Sequence, residues 1–145
     1  MKFVGIDYGL ARTGLAISDP EGRMAFPVCT LRLADYPNRK TFLDAMAARI
    51  RDIGAEAVVI GLPLRAGGEE SLTTRQVRHV TTRLKRRMTI PFYFMPEELS
   101  SEEAWTDLRE AGLTPKQRRH VLDQQAAVRI LASFLALPPE QRSAA

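Results

Sequence analysis

The run Phe3-Val4-Gly5-Ile6 is apolar on both sides of its zigzag and ends at once on a carboxylate, Asp7. A strand without polar alternation belongs inside a sheet that is covered on both faces. Tyr8-Gly9-Leu10 then turns the chain, and Thr13-Gly14-Leu15-Ala16-Ile17-Ser18 reads as a second strand running back. Asp7 therefore stands where a buried strand leaves its sheet. An unpaired carboxylate there is costly, so a donor, a basic partner or a metal ion must neutralise it.

Ala57-Val58-Val59-Ile60-Gly61 is a second uninterrupted apolar run, and the two runs are expected to be central neighbours. Between them, Asp19-Pro20-Glu21-Gly22 signals a turn, and Phe26–Leu31 reads as a strand that Pro27 confines to an edge. Phe42, Leu43, Met46, Ile50 and Ile53 recur at helical spacing from about Lys40, and Gly54 stops that helix. A helix is expected over 71–88, a fifth strand over 90–95, and a helix opening with the capping pattern at Ser100–Glu103. Pro115 then begins a last helix that reaches 137. The whole reads as a single α/β domain over 1–137, a three-layer fold with a five-stranded mixed sheet and helices on both faces. Residues 138–145 are expected to be a disordered tail.

Composition narrows the function classes. The single cysteine, Cys29, permits no internal disulfide, and Asp7 interrupts any apolar stretch of signal-peptide length. The longest later apolar run, from Ala57 to Leu64, is too short to span a bilayer. A cytosolic protein is expected, with no membrane partner. The net charge of +4 suits a polyanionic partner without establishing one. The glycines at 5, 9 and 14 are followed by a strand rather than a helix, and Gly67-Gly68 lacks the Lys-Ser/Thr of a phosphate loop. Neither nucleotide motif is present. His79 and His120 are isolated, with no metal-ligand spacing.

Two further carboxylates fall at informative places. Glu97 follows the fifth strand, and ligands of open sheets gather at such C-terminal strand ends. Asp123 lies four residues before Ala127, on the stripe that Ile130, Leu131 and Phe134 continue toward the sheet, and taken alone it also reads as a helix cap or first-turn acid favoured by the helix dipole. Like charges brought together need a cation, and oxygen donors without a Cys or His cluster select a hard one, Mg²⁺ or Mn²⁺. Such a carboxylate cage is the site type of metal-assisted phosphodiester hydrolysis. Arg75, Arg78 and Arg86 lie opposite the apolar stripe of the helix over 71–88, where they read as phosphate contacts or as a solvated basic face. Arg12 beside the Asp7 turn, and Arg118 and Arg119 before Asp123, are further candidate nucleic-acid contacts. One geometric demand remains. If Glu97 lies one strand beyond the neighbour of Asp7, it must reach across two strand spacings of about 4.8 Å each.

Gly5-Ile6-Asp7-Tyr8-Gly9, Arg12-Thr13-Gly14, Ser18-Asp19-Pro20 and Gly61-Leu62-Pro63-Leu64 resemble the YqgF family, also called RuvX. Glu97 with Leu99-Ser100-Ser101, and Asp123 with Ala126-Ala127, extend the likeness over nearly the whole chain. The resemblance implies an RNase H-like fold, an activity as Holliday-junction resolvase or pre-16S ribosomal RNA nuclease, and Asp7, Glu97 and Asp123 as the acidic site. Two departures stand out. Pro96-Glu97-Glu98 replaces the family's Asp-Glu-Arg, removing an aspartate and an arginine beside the glutamate. Arg65-Ala66-Gly67-Gly68-Glu69-Glu70 replaces an Asp-Gly segment, with Glu69 or Glu70 as candidate replacement charge.

The expectation is a metal-dependent nuclease acting on RNA or DNA: 5′-end processing of pre-16S rRNA on ribosomal precursor particles, or cleavage of branched or single-stranded DNA. Holliday-junction resolution would require a homodimer, and the sequence leaves monomer and homodimer both open. The competing classes are an RNA- or ribosome-binding module that has lost catalysis, and an actin-like ATPase, which needs two such domains.

Overall fold

The computed structural model describes residues 1–97 and 115–145, the side chains of 115–123 excepted. Strands β1 (Phe3–Tyr8), β2 (Arg12–Ser18) and β3 (Ala25–Arg32) form an antiparallel meander. Helix α1 (Arg39–Ile53) leads to β4 (Ala57–Pro63), α2 (Leu72–Lys85) to β5 (Phe92–Glu97), and α3 (Pro115–Leu135) to a short β6 (Ser143–Ala144). The order across the sheet is β3-β2-β1-β4-β5-β6. β4 lies parallel to both β1 and β5, so the two fully apolar runs are central neighbours. The helix expected from Ser100 lies outside the described residues.

Local chemistry sets the element ends. Asn38 caps α1 by accepting from the Thr41 N–H at 2.8 Å, and Gly54 closes it at φ 78°, a left-handed conformation. Ser71 and Thr74 make a reciprocal capping box at the start of α2, and Pro115 is the first residue of α3. β3 is the edge strand, as Pro27 requires.

Pleat alternation then sorts the core into two halves. Val4, Ile6, Val58, Ile60 and Leu62 face α1 and α2, meeting Phe42, Leu43, Met46, Ile50, Val77, Val80 and Leu84. Phe3, Ala57 and Val59 face α3, meeting Ala127, Ile130, Leu131 and Phe134. The result is the expected three-layer α/β fold.

Its sheet has six strands rather than five, because the tail is not disordered. Ser143 and Ala144 pair antiparallel with Phe94 and Tyr93, and the Ala145 N–H donates to the Phe92 carbonyl at 2.8 Å. The anchor is Arg142, whose guanidinium lies 4.8 Å from the Phe134 ring centroid and 5.7 Å from that of Phe3. Polar tail composition conceals that docking.

Candidate nucleic-acid cleavage site

Asp7 is the penultimate residue of β1 and half-buried. By alternation it shares the face of Phe3 and Gly5, the face covered by α3. Its partner on β2 is Gly14, and continuing the β1–β4 register by one step sets Gly61 on its other side. Asp7 therefore has a glycine on each flank.

The sequence places Glu97 after the fifth strand, but β5 runs to Glu97, which pairs with Pro63 at the strand's end. Tyr93 and Met95 turn to the α3 face, so Glu97 does also. Its carboxylate leans back over β4. A Cβ placed on Gly61 would lie 3.4 Å from Glu97 Oε2 and 2.5 Å from Ile130 Cδ1. The missing side chain at Gly61 thus makes room chiefly for Ile130, with the Glu97 carboxylate in contact distance beside it over β4, one strand nearer Asp7 than its own. Sequence reasoning counted Gly61 merely as a strand residue. A glycine ending a run of Val and Ile was the signal, since strand glycines mark places where another group approaches closely.

Asp123 belongs to α3, one turn before the buried Ala127, and its side chain lies outside the described residues. Arg118 and Arg119 belong to the first turns of α3, and their side chains likewise lie outside the described residues. Among the described residues no group of three or more His, Cys, Asp and Glu gathers as a metal cage, so two acids of the trio are placed on one face. All three offer only oxygen donors, the set that fits Mg²⁺ or Mn²⁺.

The arginines divide. Arg12 opens β2 on the face of Asp7. Arg75 and Arg78 ride on α2 and Arg86 caps its C-terminus, across the sheet from the carboxylates. Arg78 also pairs with Glu70 and stacks over the Phe94 ring at 5.2 Å from its centroid. Glu70, one of the two candidate replacement charges, is therefore engaged in the loop before α2. Cys29 is half-buried, and burial pushes its thiol above the ordinary value, opposite to what a nucleophile needs.

This architecture is shared with solved structures of RuvC. Thermus thermophilus RuvC in complex with a Holliday junction substrate superposes with a TM-score of 0.58 at 14% identity, covering all of both chains. At that identity the likeness concerns the fold, which is RNase H-like. The family model of RuvX, described as Holliday junction resolvase, matches residues 1–137, and the chain belongs to that family. A protein of Nitratidesulfovibrio vulgaris (strain DP4) carrying the name "Putative pre-16S rRNA nuclease" is 56% identical over all of both chains. One of the same name from Lawsonia intracellularis is 42% identical over 98% of each. The chain is accordingly a nuclease, a hydrolase of phosphodiester bonds. None of its described helices is long and apolar enough to cross a membrane.

Proposed function

We propose that the chain is a divalent-metal-dependent nuclease that trims the 5′ end of pre-16S rRNA on ribosomal precursor particles in the cytoplasm. The observation that supports the metal site is the shared sheet face: Asp7 with a glycine on each flank, and the Glu97 carboxylate leaning over Gly61, its Oε2 3.4 Å from where a Cβ would lie. Asp7, Glu97 and Asp123 are the ligands in this reading. The RNA substrate is supported by the names of relatives at 56% and 42% identity. A metal held by these carboxylates would supply water activation and charge stabilisation at the scissile phosphate. The chain's own part is to hold two carboxylates on one rigid sheet face and to place Arg12 beside them as a phosphate contact. Arg118 and Arg119, two turns of sequence or less before Asp123, are assigned to the flanking backbone.

A second substrate reading, junction DNA, is favoured by the family's description. It requires two active sites, hence a two-fold dimer. One panel separates these readings: pre-16S precursor RNA, single-stranded and duplex DNA, and a four-way junction, each with and without Mn²⁺. Asp7→Asn should lower metal-dependent cleavage on the order of a thousandfold, the equivalent of several kcal/mol of transition-state stabilisation, while the melting temperature holds. Cleavage that is unchanged by this substitution would remove Asp7 from the site. Metal-independent binding without any turnover would favour a module that binds RNA and has lost catalysis.

A further inference from the structure

Arg12 does not stand alone on the Asp7 face. It is registered directly opposite Arg32, the last residue of β3, in the antiparallel β2–β3 pair. Opposed residues of such a pair point to the same side with Cβ atoms about 5 Å apart, and like charges so placed repel. Counting by twos from Gly14, the partner of Asp7, puts both arginines on the carboxylate face. Strand geometry sets their Cα positions about 8 Å and about 12 Å from that of Asp7.

Beside them is a cavity of about 510 Å³ lined by Leu10, Ala11, Arg12, Arg32, Leu33 and Ala34. Its two walls are tied together, since the Leu33 N–H donates to the Ala11 carbonyl at 3.0 Å. Arg12 is held by an interaction within the protein, and Arg32 is exposed. Leu10 presents apolar surface at 57% exposure. An anion placed between paired guanidiniums turns their repulsion into two sets of charge-assisted hydrogen bonds. The leucines add a wall that a phosphate has no use for and a nucleobase does.

We propose that this pocket seats one unpaired nucleotide of the substrate strand beside the scissile phosphate, its phosphate between Arg12 and Arg32 and its base against Leu10 and Leu33. The inference rests on Asp7 as the centre of the nuclease site, and it names the substrate class: a strand unpaired next to the cut. A base within a continuous duplex reaches such a pocket only by unstacking and unpairing.

The test is binding in EDTA, where neither cleavage nor the metal site contributes, using a labelled single-stranded RNA and a blunt duplex of the same sequence. Arg32→Ala should weaken single-strand binding about fivefold and reduce the salt slope by about 0.7, one phosphate contact's worth. Arg32→Lys should keep the slope. Leu10→Ser should weaken single-strand binding with the slope unchanged. Duplex binding should change less than about twofold in each variant. Arg23→Ala removes the same charge at the opposite end of β2, from a side chain 78% exposed, and should have no effect. If Arg23→Ala matches Arg32→Ala, the phosphate seat is wrong. If single-strand and duplex binding fall equally, the unpaired nucleotide is wrong. Failure of the metal-site reading would appear elsewhere, as cleavage that survives Asp7→Asn.

Discussion

On one face of the sheet, Val4, Ile6, Val58, Ile60 and Leu62 interlock with the large side chains of α1 and α2. On the other, the same strands present Gly5, Asp7 and Gly61, with Gly14 beside them on β2. The first face buries apolar area wherever a side chain fits, which is how a domain of this size accumulates stability. The second gives up that area at particular points, and each concession admits something. At Gly5 it admits α3 itself, since an added Cβ would lie 2.8 Å from Leu131 Cβ and 3.1 Å from the Ala127 carbonyl oxygen. At Gly61 it admits the end of Ile130, whose Cδ1 would lie 2.5 Å from an added Cβ, with Glu97 Oε2 beside it at 3.4 Å. The α3 face therefore closes by near approach of the helix to the sheet, with Ile130, Leu131 and Phe134 supplying its large side chains.

Phe134 is the foremost of those side chains, and its loss should break the comparison most strongly. Its ring packs against Phe3 at 5.7 Å and Tyr93 at 5.2 Å between centroids, and Arg142 covers it. Phe134→Ala should cost about 3–5 kcal/mol, as large core truncations do. Leu43→Ala on the opposite face falls in a range of about 2–5 kcal/mol. The difference between the faces lies in what else is lost. Phe134→Ala should also release β6, seen as faster amide exchange at Ala145, whereas Leu43→Ala should leave that amide protected. Equal protection in both variants would mean that the tail docks without its aromatic anchor.

The two glycines sharpen the contrast further. Gly5→Ala and Gly61→Ala each overpack the α3 face, at a cost of about 1–3 kcal/mol. Gly5→Ala meets helix backbone and should lower stability while metal affinity per folded molecule stays as it was. Gly61→Ala meets the flexible end of Ile130 and the Glu97 carboxylate, so it should weaken Mn²⁺ binding at least as clearly as it lowers the melting temperature. Titration of Mn²⁺ by calorimetry on both variants decides the matter. Matching affinities would show that Glu97 does not use the opening.

The legible part of this molecule was its pattern, and the illegible part was its clearances. Apolar runs, glycine stops and Asn or Ser caps are local signals, and they placed β1, β4, α1 and α2 to within a few residues. Asp7 was legible because a charge ending a buried strand is costly by itself. Gly61 was not, since the need for an empty position arises only when β5 and α3 have arrived. The same holds for Arg32. Its meaning comes from lying opposite Arg12, and the register that sets it there passes through an irregularity between Leu15 and Ala16 that no periodicity announces. Arg75, Arg78 and Arg86 show the converse. Helical counting groups them on one face, but only the layer order shows that α2 lies across the sheet from Asp7.

The smallest effect concerns the turn that holds β3 against β2, far from the carboxylates. Asp19 accepts from the Arg23 and Met24 N–H groups at 2.7 Å each, and from the Glu21 N–H at 3.3 Å. These bonds, that of Met24 foremost, hold its carboxyl below the ordinary value of 3.8 against an opposing desolvation effect. A depressed folded value means that the ionised form is favoured by folding. The contribution is therefore complete above the unfolded value and is lost as pH falls through the folded one. Acidification below about pH 4 should then loosen the β2–β3 turn before it disturbs β1 or β4. Amide exchange at Arg23 and Met24 should rise first, and Asp19→Ala at neutral pH should give the same exchange pattern. An Asp19 carboxyl that titrates at or above 3.8 by NMR would mean that the turn is held by its backbone bonds alone, the Gly22 N–H to the Asp19 carbonyl at 3.0 Å among them.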